Sequence, residues 1–343
     1  MLELVGIKSV LLKKALEEGR SDGVLSALSS LNKNKKRPLG KFNPWAWCLE
    51  PVRGCNLACW HCPVSVDENL QGKYEFMSEE TWVDTWKIIK KITPYCRVEM
   101  ANTGEPTMHP DLLNFVSIAK EISPNSQIQI TTNGTNLIKE KITYKELFNA
   151  GINIVYVDMY APEKKHFDLA KDSGYDYYNY YNPPKNAPGA WTYHNSSKIK
   201  FIALSKIPDK WPAKKIKRGG LGTFVNNINF SSAKAKKMNI TPVIKAPKRR
   251  CEQPMKYVQV LSTGNYLMCC QDAFNEANIE SNVSDGVEGF MKFWLGKYMQ
   301  STRKLLRDKR RRDHPICKKC DIIFARSDMK FWKREMFDIE YES

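Results

Sequence analysis

Cys55, Cys59 and Cys62 form a C-x3-C-x2-C array within the stretch Gly54-Cys55-Asn56-Leu57-Ala58-Cys59-Trp60-His61-Cys62. Three thiolates held within eight residues converge on one metal site, and they follow directly on a strand-like run. Their number is informative. A structural zinc site closes with four ligands, so three leave one coordination position for another group. In an iron-sulfur cluster that vacancy is one iron open to a substrate or cofactor.

A second cysteine group lies far along the chain. Cys251 is followed after seventeen residues by Cys269, with Gly264 five positions before it, and after forty-seven more by Cys317-x2-Cys320. Residues 257–261 and 266–269, joined through Gly264, predict a short hairpin that holds one half of a metal site, and the C-x2-C knuckle supplies the other half. A two-plus-two set of cysteines fits structural zinc or a fully ligated 4Fe-4S cluster, and spacing alone leaves both open. Cys270 would point away from Cys269 along an extended strand and falls outside the set. Cys48 and Cys96 are expected in the core, where free cysteine is commonly found.

The elements that must position these residues repeat. Residues 44–52, rich in Trp, predict a buried first strand. Ser78 opens a helix with Glu79 and Glu80 in its first turn and Lys90 and Lys91 in its last, and Trp82, Trp86 and Ile89 form its buried stripe. Strands at 97–101, 127–132 and 152–159 then alternate with helices at 110–122, 136–150 and 163–171, and further strands are expected at 199–204 and 224–229. Such alternation implies right-handed parallel βαβ units, as a doubly wound sheet or a barrel, whose ligands bind at the carboxyl ends of the strands. Four loops then share one rim. They are the cysteine triplet, the Gly104-Glu105-Pro106 loop, the Thr132-Asn133-Gly134 turn, and the loop that begins at Asp158. Gly104 permits close backbone approach, Glu105 offers a carboxylate to an ammonium group, and Asn133 offers a polar side chain to a ribose.

At 343 residues and 42% apolar content the chain can bury a full core. The formal charge of +17 would favour a polyanionic or phosphorylated partner. No helix-turn-helix, RRM or C2H2 pattern accompanies that charge, so nucleic-acid binding is unsupported. No apolar run of eighteen residues and no signal-peptide core appears. Cysteines clustered as a triplet and a pair suit metal ligation in a reducing compartment, so the expectation is a cytoplasmic protein without a membrane segment. Residues 1–41 read as a helical extension followed by a basic linker. Residues 175–193, with seven aromatics, form either a lid over the site or an edge strand with a surface loop. The basic helix at 303–312 is expected to present a solvated face with Leu305 and Leu306 packed inward.

With the triplet, Gly104-Glu105-Pro106 and Thr132-Asn133-Gly134 in this order, residues 44–230 resemble a radical S-adenosylmethionine (radical SAM) enzyme. From Cys251 onward the chain resembles the SPASM and shorter twitch auxiliary-cluster domains, and its cysteine count points to the twitch type. The resemblance implies an α/β fold, a partial (βα)6 TIM-like barrel with a small C-terminal hairpin-plus-helix iron-sulfur domain. Its divisions would be an extension at 1–41, the barrel at 42–245, the auxiliary domain at 246–325 and a tail at 326–343. By the same resemblance Cys55, Cys59 and Cys62 hold a 4Fe-4S cluster whose open iron binds the amino and carboxylate groups of S-adenosylmethionine (SAM). His61 lies against the adenine, Gly104 and Glu105 receive the methionine ammonium, and Asn133 lies near the ribose. Cys251, Cys269, Cys317 and Cys320 hold a second, auxiliary 4Fe-4S cluster, which suits an electron acceptor better than a substrate anchor because all four positions are filled. Many relatives carry Ser-x-Asp-Gly at the fourth loop. Here Asp158 stands without that serine and glycine, as a cofactor or substrate contact or as a strand-end turn residue.

The expected function is reductive cleavage of SAM to a 5′-deoxyadenosyl radical that abstracts hydrogen from a small polyol, sugar or nucleotide, with flavodoxin or ferredoxin as electron donor. A peptide-modifying maturase is the alternative within this class. Residues 1–40 are too short for an independently folded leader-binding domain, which favours the small molecule. A zinc-bearing nucleic-acid-binding protein is the alternative of another class.

Overall fold

The computed structural model describes residues 44, 46–59, 62, 64, 72–94, 96–160, 162–179, 200–206, 251–270, 272 and 275–320. The expectations for 1–41, His61, the strand at 224–229, most of the aromatic stretch and the tail lie outside the described residues.

The described elements begin with β1 (Ala46–Leu49) and β2 (Val52–Arg53), and after the triplet loop the chain returns through β3 (Glu75–Phe76). β2 and β3 pair antiparallel, so the two ends of the cysteine loop are clamped together. The backbone N–H of Met77 donates to the carbonyl of Pro51 at 2.9 Å and closes that clamp from below. α1 (Glu79–Ile92) follows, capped by the Ser78 side chain, which accepts from the backbone N–H of Thr81. Trp82, Trp86 and Ile89 are buried on it, as the periodicity predicts.

Next come β4 (Arg97–Met100), α2 (Leu112–Ile122), β5 (Gln127–Thr132), α3 (Thr135–Ile138), α4 (Tyr144–Ala150), β6 (Ile154–Met159) and α5 (Glu163–Asp172). The single helix expected over 136–150 is two helices. Glu140 takes a left-handed φ of 54° that no helix interior tolerates. Thr143 and Glu146 then close a reciprocal capping box that starts α4 afresh. β7 (Asp176–Asn179), β8 (Phe201–Lys206), α6 (Gln253–Lys256), β9 (Tyr257–Val260), β10 (Tyr266–Leu267), α7 (Gly286–Trp294) and α8 (Lys297–Arg307) complete the described elements.

One sheet runs in the order β10-β9-β1-β4-β5-β6-β8-β7, parallel throughout except for the β9–β10 hairpin. β1, β4, β5 and β6 follow chain order, as a partial barrel requires. β8 enters between β6 and β7, so β7 becomes the far edge, the edge strand that the start of the aromatic stretch allowed. The predicted hairpin forms, and β9 adds in parallel to β1, which makes the second cysteine region continuous with the same sheet.

The faces of this sheet differ in chemistry because side chains alternate along each strand. Trp47, Leu49, Val98, Met100, Ile128, Ile130, Val155 and Val157 join the main core beneath α1, α2 and α4. On the opposite face Gln259, Cys48, Glu99 and Gln129 stand in one register row across β9, β1, β4 and β5. Ile154, Phe201 and Ala203 form a small apolar cluster on β6 and β8. Cys48 is therefore buried but belongs to the polar inner row. Cys96 sits in the core, as expected.

Candidate functional site

The four loops meet around one cavity of about 430 Å³ on the inner face of the sheet. Cys55, Cys59, Cys62, Gly104, Glu105, Asn133 and Asp158 all line it, although they come from four separate strand ends. His61 lies outside the described residues.

Glu105 is the hub. Its carboxylate is buried, 2% exposed, and ties the second loop to the third. Oε1 accepts from the Thr107 hydroxyl at 2.6 Å, the Thr107 N–H at 3.1 Å and the Thr132 hydroxyl at 2.6 Å, and Oε2 accepts from the Asn133 N–H at 2.7 Å. Burial pushes its pKa up, and the four donors oppose that rise. A carboxylate offers about four lone-pair directions, two on each oxygen, so Oε2 keeps one for a further donor.

Gly104 is fixed by packing. A Cβ there would lie 1.8 Å from the carbonyl oxygen of Val52, and Gly104 forms a parallel bridge with Gly54 at the mouth of the cysteine loop. The close approach expected of this glycine is made to the chain's own backbone. Glu50, fully buried, supports the same junction from the end of β1. It accepts from the Asn102 amide at 2.8 Å, from the Thr103 N–H at 3.2 Å and from the Thr103 hydroxyl. Sequence reasoning missed Glu50; an acid inside an apolar run was the available signal.

Asn133 reaches the triplet loop directly. Its Nδ2 donates to Asn56 Oδ1 at 2.8 Å and lies 3.5 Å from Cys55 Sγ. Burial raises the Cys55 thiol to about 11, and the charges of Glu105, Cys62 and Cys59 act in the same direction, so the three sulfurs share one field. Tyr160, also missed, hydrogen-bonds Cys59 and lines the cavity. Asp158 accepts from the Ser205 hydroxyl at 3.0 Å, so a serine from β8 reaches the aspartate that lacks one beside it in sequence. Burial, aided by the Glu99 and Glu105 charges, raises Asp158 to about 6.

Cys251, Cys269, Cys317 and Cys320 also come together. Cys317 is raised by burial and by the charges of Cys251 and Cys320, and Cys269 by contact with Cys270, by burial and by the charges of Cys317 and Cys320. His314 holds the knuckle, because its Nδ1 accepts from the N–H groups of Ile316 and Cys317 at 3.3 and 3.2 Å. The other ring nitrogen, 3.0 Å from the Thr302 hydroxyl, then carries the proton. Cys270 lines the main cavity beside Cys48, yet its side chain contacts that of Cys269, so it does not point away from that cysteine as the extended-strand reading expects. The basic segment departs from its solvated reading. Leu306 is buried, but so are Arg303 and Arg311. Arg303 donates to the Pro254 carbonyl at 2.8 Å and lies 4.0 Å over the ring of Trp294, and Arg311 lowers the pKa values of Cys251 and Cys317.

These residues fit the groups their spacing implies. Three thiols and the Glu105 carboxylate, which keeps one acceptor direction on Oε2, surround a cavity, where deprotonated sulfur needs a cation to offset burial. Among the described residues no three Cys, His or carboxylate side chains close tightly enough on a single metal ion. No described helix is long and apolar enough to cross a membrane.

Residues 49–183 match the family described as the radical SAM superfamily. The chain is 23% identical over 278 residues to the S-adenosyl-L-methionine-dependent 2-deoxy-scyllo-inosamine dehydrogenase of Niallia circulans, covering 81% of this chain and 92% of that one. Among solved structures it is similar to BtrN in complex with AdoMet and 2-DOIA, at 20% identity and a TM-score of 0.56 over 83% of this chain and 96% of that one. An open conformation of BtrN matches at 20% identity and a TM-score of 0.51, over 81% of this chain and 92% of that one. At that identity the structural likeness speaks for the fold. The cysteine triplet at the first strand end lies inside the segment that matches the radical SAM superfamily and beside the Glu105 hub.

Proposed function

We propose that this protein is a radical SAM dehydrogenase acting on a small hydroxyl-bearing molecule. The observation that carries the reading is the meeting of Cys55, Cys59, Cys62, Glu105, Asn133 and Asp158 around one cavity at the carboxyl ends of the strands. The dehydrogenase named for Niallia circulans supports the reaction class.

In this reading Cys55, Cys59 and Cys62 hold a 4Fe-4S cluster, and Cys251, Cys269, Cys317 and Cys320 hold a second. When bound and reduced by a flavodoxin- or ferredoxin-type donor, the first cluster supplies the electron that splits SAM to methionine and a hydrogen-abstracting 5′-deoxyadenosyl radical, and the second offers an acceptor for the electron the substrate gives up. The protein's residues orient and shield that chemistry. The free direction of Glu105 Oε2 receives the methionine ammonium beside Gly104, and Asn133 steadies the triplet loop on the ribose side. Asp158, raised to about 6, is poised to accept the proton that a carbinol loses as it becomes a carbonyl. The buried sheet floor keeps water from the radical.

Iron analysis of anaerobically purified protein tests the metal content. The reading expects brown protein with broad absorption near ~400 nm and about eight irons per chain, falling to about four in Cys59→Ala. A colourless preparation loaded with zinc contradicts it.

A further inference from the structure

We infer that the Asn133 side chain raises the reduction potential of the first cluster through the sulfur of Cys55, and that its amide hydrogens are spent there and on the cysteine loop, not on the SAM ribose. This assignment rests on the reading of the triplet as a 4Fe-4S site and adds to it a tuning residue from outside the cysteine loop.

Asn133 follows β5 in the third loop and is buried. Its partners orient its amide. The backbone N–H of Thr135 lies 2.9 Å from one end, and only the oxygen can accept it, so the nitrogen faces the cysteine loop. There Nδ2 donates to Asn56 Oδ1 at 2.8 Å and to Cys55 Sγ at 3.5 Å, the longer distance reflecting the larger sulfur atom. An amide nitrogen carries two hydrogens, and these two partners use both. The backbone of the same residue is tied to Glu105 Oε2 at 2.7 Å, so Asn133 is held in place from two sides.

Cys55 Sγ has a second donor, the backbone N–H of Leu57 at 3.4 Å. Two N–H groups from different loops thus converge on one sulfur. Burial does most to raise the Cys55 thiol, and the Leu57 N–H opposes that rise, so a donor at this sulfur favours negative charge on it. Reduction adds a negative charge to an iron-sulfur cluster, and hydrogen bonds to its sulfurs favour the reduced form. The buried Glu105 carboxylate acts on Cys55 in the other direction. Of the two donors, the Leu57 N–H comes with the cysteine loop itself, whereas the Asn133 amide is one that a side-chain substitution removes.

The test is a redox titration of the full, iron-loaded chain followed by low-temperature magnetic resonance, with the first cluster's signal assigned as the one that Cys59→Ala lacks. Asn133→Ser keeps a side-chain oxygen for the Thr135 N–H and removes both amide hydrogens. At the wild-type midpoint potential its ratio of reduced to oxidised first cluster should fall about fivefold, the scale of one hydrogen bond. The second cluster's ratio should not move, and SAM affinity by equilibrium dialysis should stay within about threefold of wild type. Asn133→Asp also removes the donor and adds a negative charge, so its ratio should fall further. Whichever of the two variants holds iron at the triplet decides. A first-cluster ratio within about twofold of wild type overturns the inference, because one lost hydrogen bond exceeds that. So does a loss of SAM affinity of about tenfold with an unmoved ratio, which would put the amide on the ribose. If neither variant holds that iron, the amide only ties the loops together and the inference falls. In each of these cases the radical SAM reading stands. Wild-type protein that takes up no iron at the triplet sinks that reading and the inference with it.

Discussion

The backbone N–H of Asn133 donates to Glu105 Oε2 at 2.7 Å, and this bond joins two loops that local sequence presents as unrelated turns. Four donors converge on that one carboxylate. In Glu105→Gln one acceptor oxygen becomes an N–H2 group facing a donor. The expected result is a loss of about 1–3 kcal/mol in stability by chemical denaturation, with SAM affinity weakened about tenfold or more by equilibrium dialysis.

Gly104→Ala tests the loop junction. The new methyl would meet the Val52 carbonyl at 1.8 Å, and a backbone atom cannot swing aside as a side-chain end can. The base of the cysteine loop must shift, at a cost of about 1–3 kcal/mol. The variant should retain about four irons per chain, those of the C-terminal site, and lose the other four in an iron assay.

His314 supports the other centre. Its Nδ1 accepts the backbone N–H groups of Ile316 and Cys317, so His314→Ala leaves both without their buried partner. The expected outcome is the reverse of the Gly104 variant. Iron falls toward about four per chain while SAM binding is kept, and the low-temperature magnetic resonance spectrum of the reduced protein loses one of two signals.

Asp158 makes a pH prediction. Burial first, then Glu99 and Glu105, raises its folded pKa to about 6 against 3.8 in the unfolded chain. The folded state thus holds the proton more tightly, so the stability contribution is greatest below about pH 4 and falls as pH rises through about 6. The drop is on the order of 3 kcal/mol. Thermal melts of chelator-treated protein between about pH 4 and 7 should show a downward slope that is reduced in Asp158→Asn. An unchanged slope contradicts the burial argument.

Much of this site is legible from residue types and spacing, because the strand-end rule for parallel sheets converts a linear order of loops into one rim. Gly104, Glu105, Asn133 and Asp158 fall on that rim for this reason. What escaped depends on non-local geometry. Cys48 reads as core until β9 is known to lie in parallel beside β1, an arrangement set by chain returning some two hundred residues later. Arg303 and Arg311 read as solvated because local pattern shows charge, whereas carbonyl, ring and thiol partners appear only after packing. The helix over 136–150 breaks at Glu140 because the capping box at Thr143 competes with helix continuation, and its residues are visible in the sequence to a reader who weighs them.

The central claim is that the thiols of Cys55, Cys59 and Cys62 build a centre that cleaves SAM reductively. Chromatography of anaerobic mixtures of full-length protein, SAM and dithionite measures it directly. The account predicts 5′-deoxyadenosine and methionine in equal amounts from the wild type and neither from Cys59→Ala. Iron-loaded wild-type protein that leaves SAM intact, or a Cys59→Ala variant that cleaves it at the wild-type rate, contradicts the account.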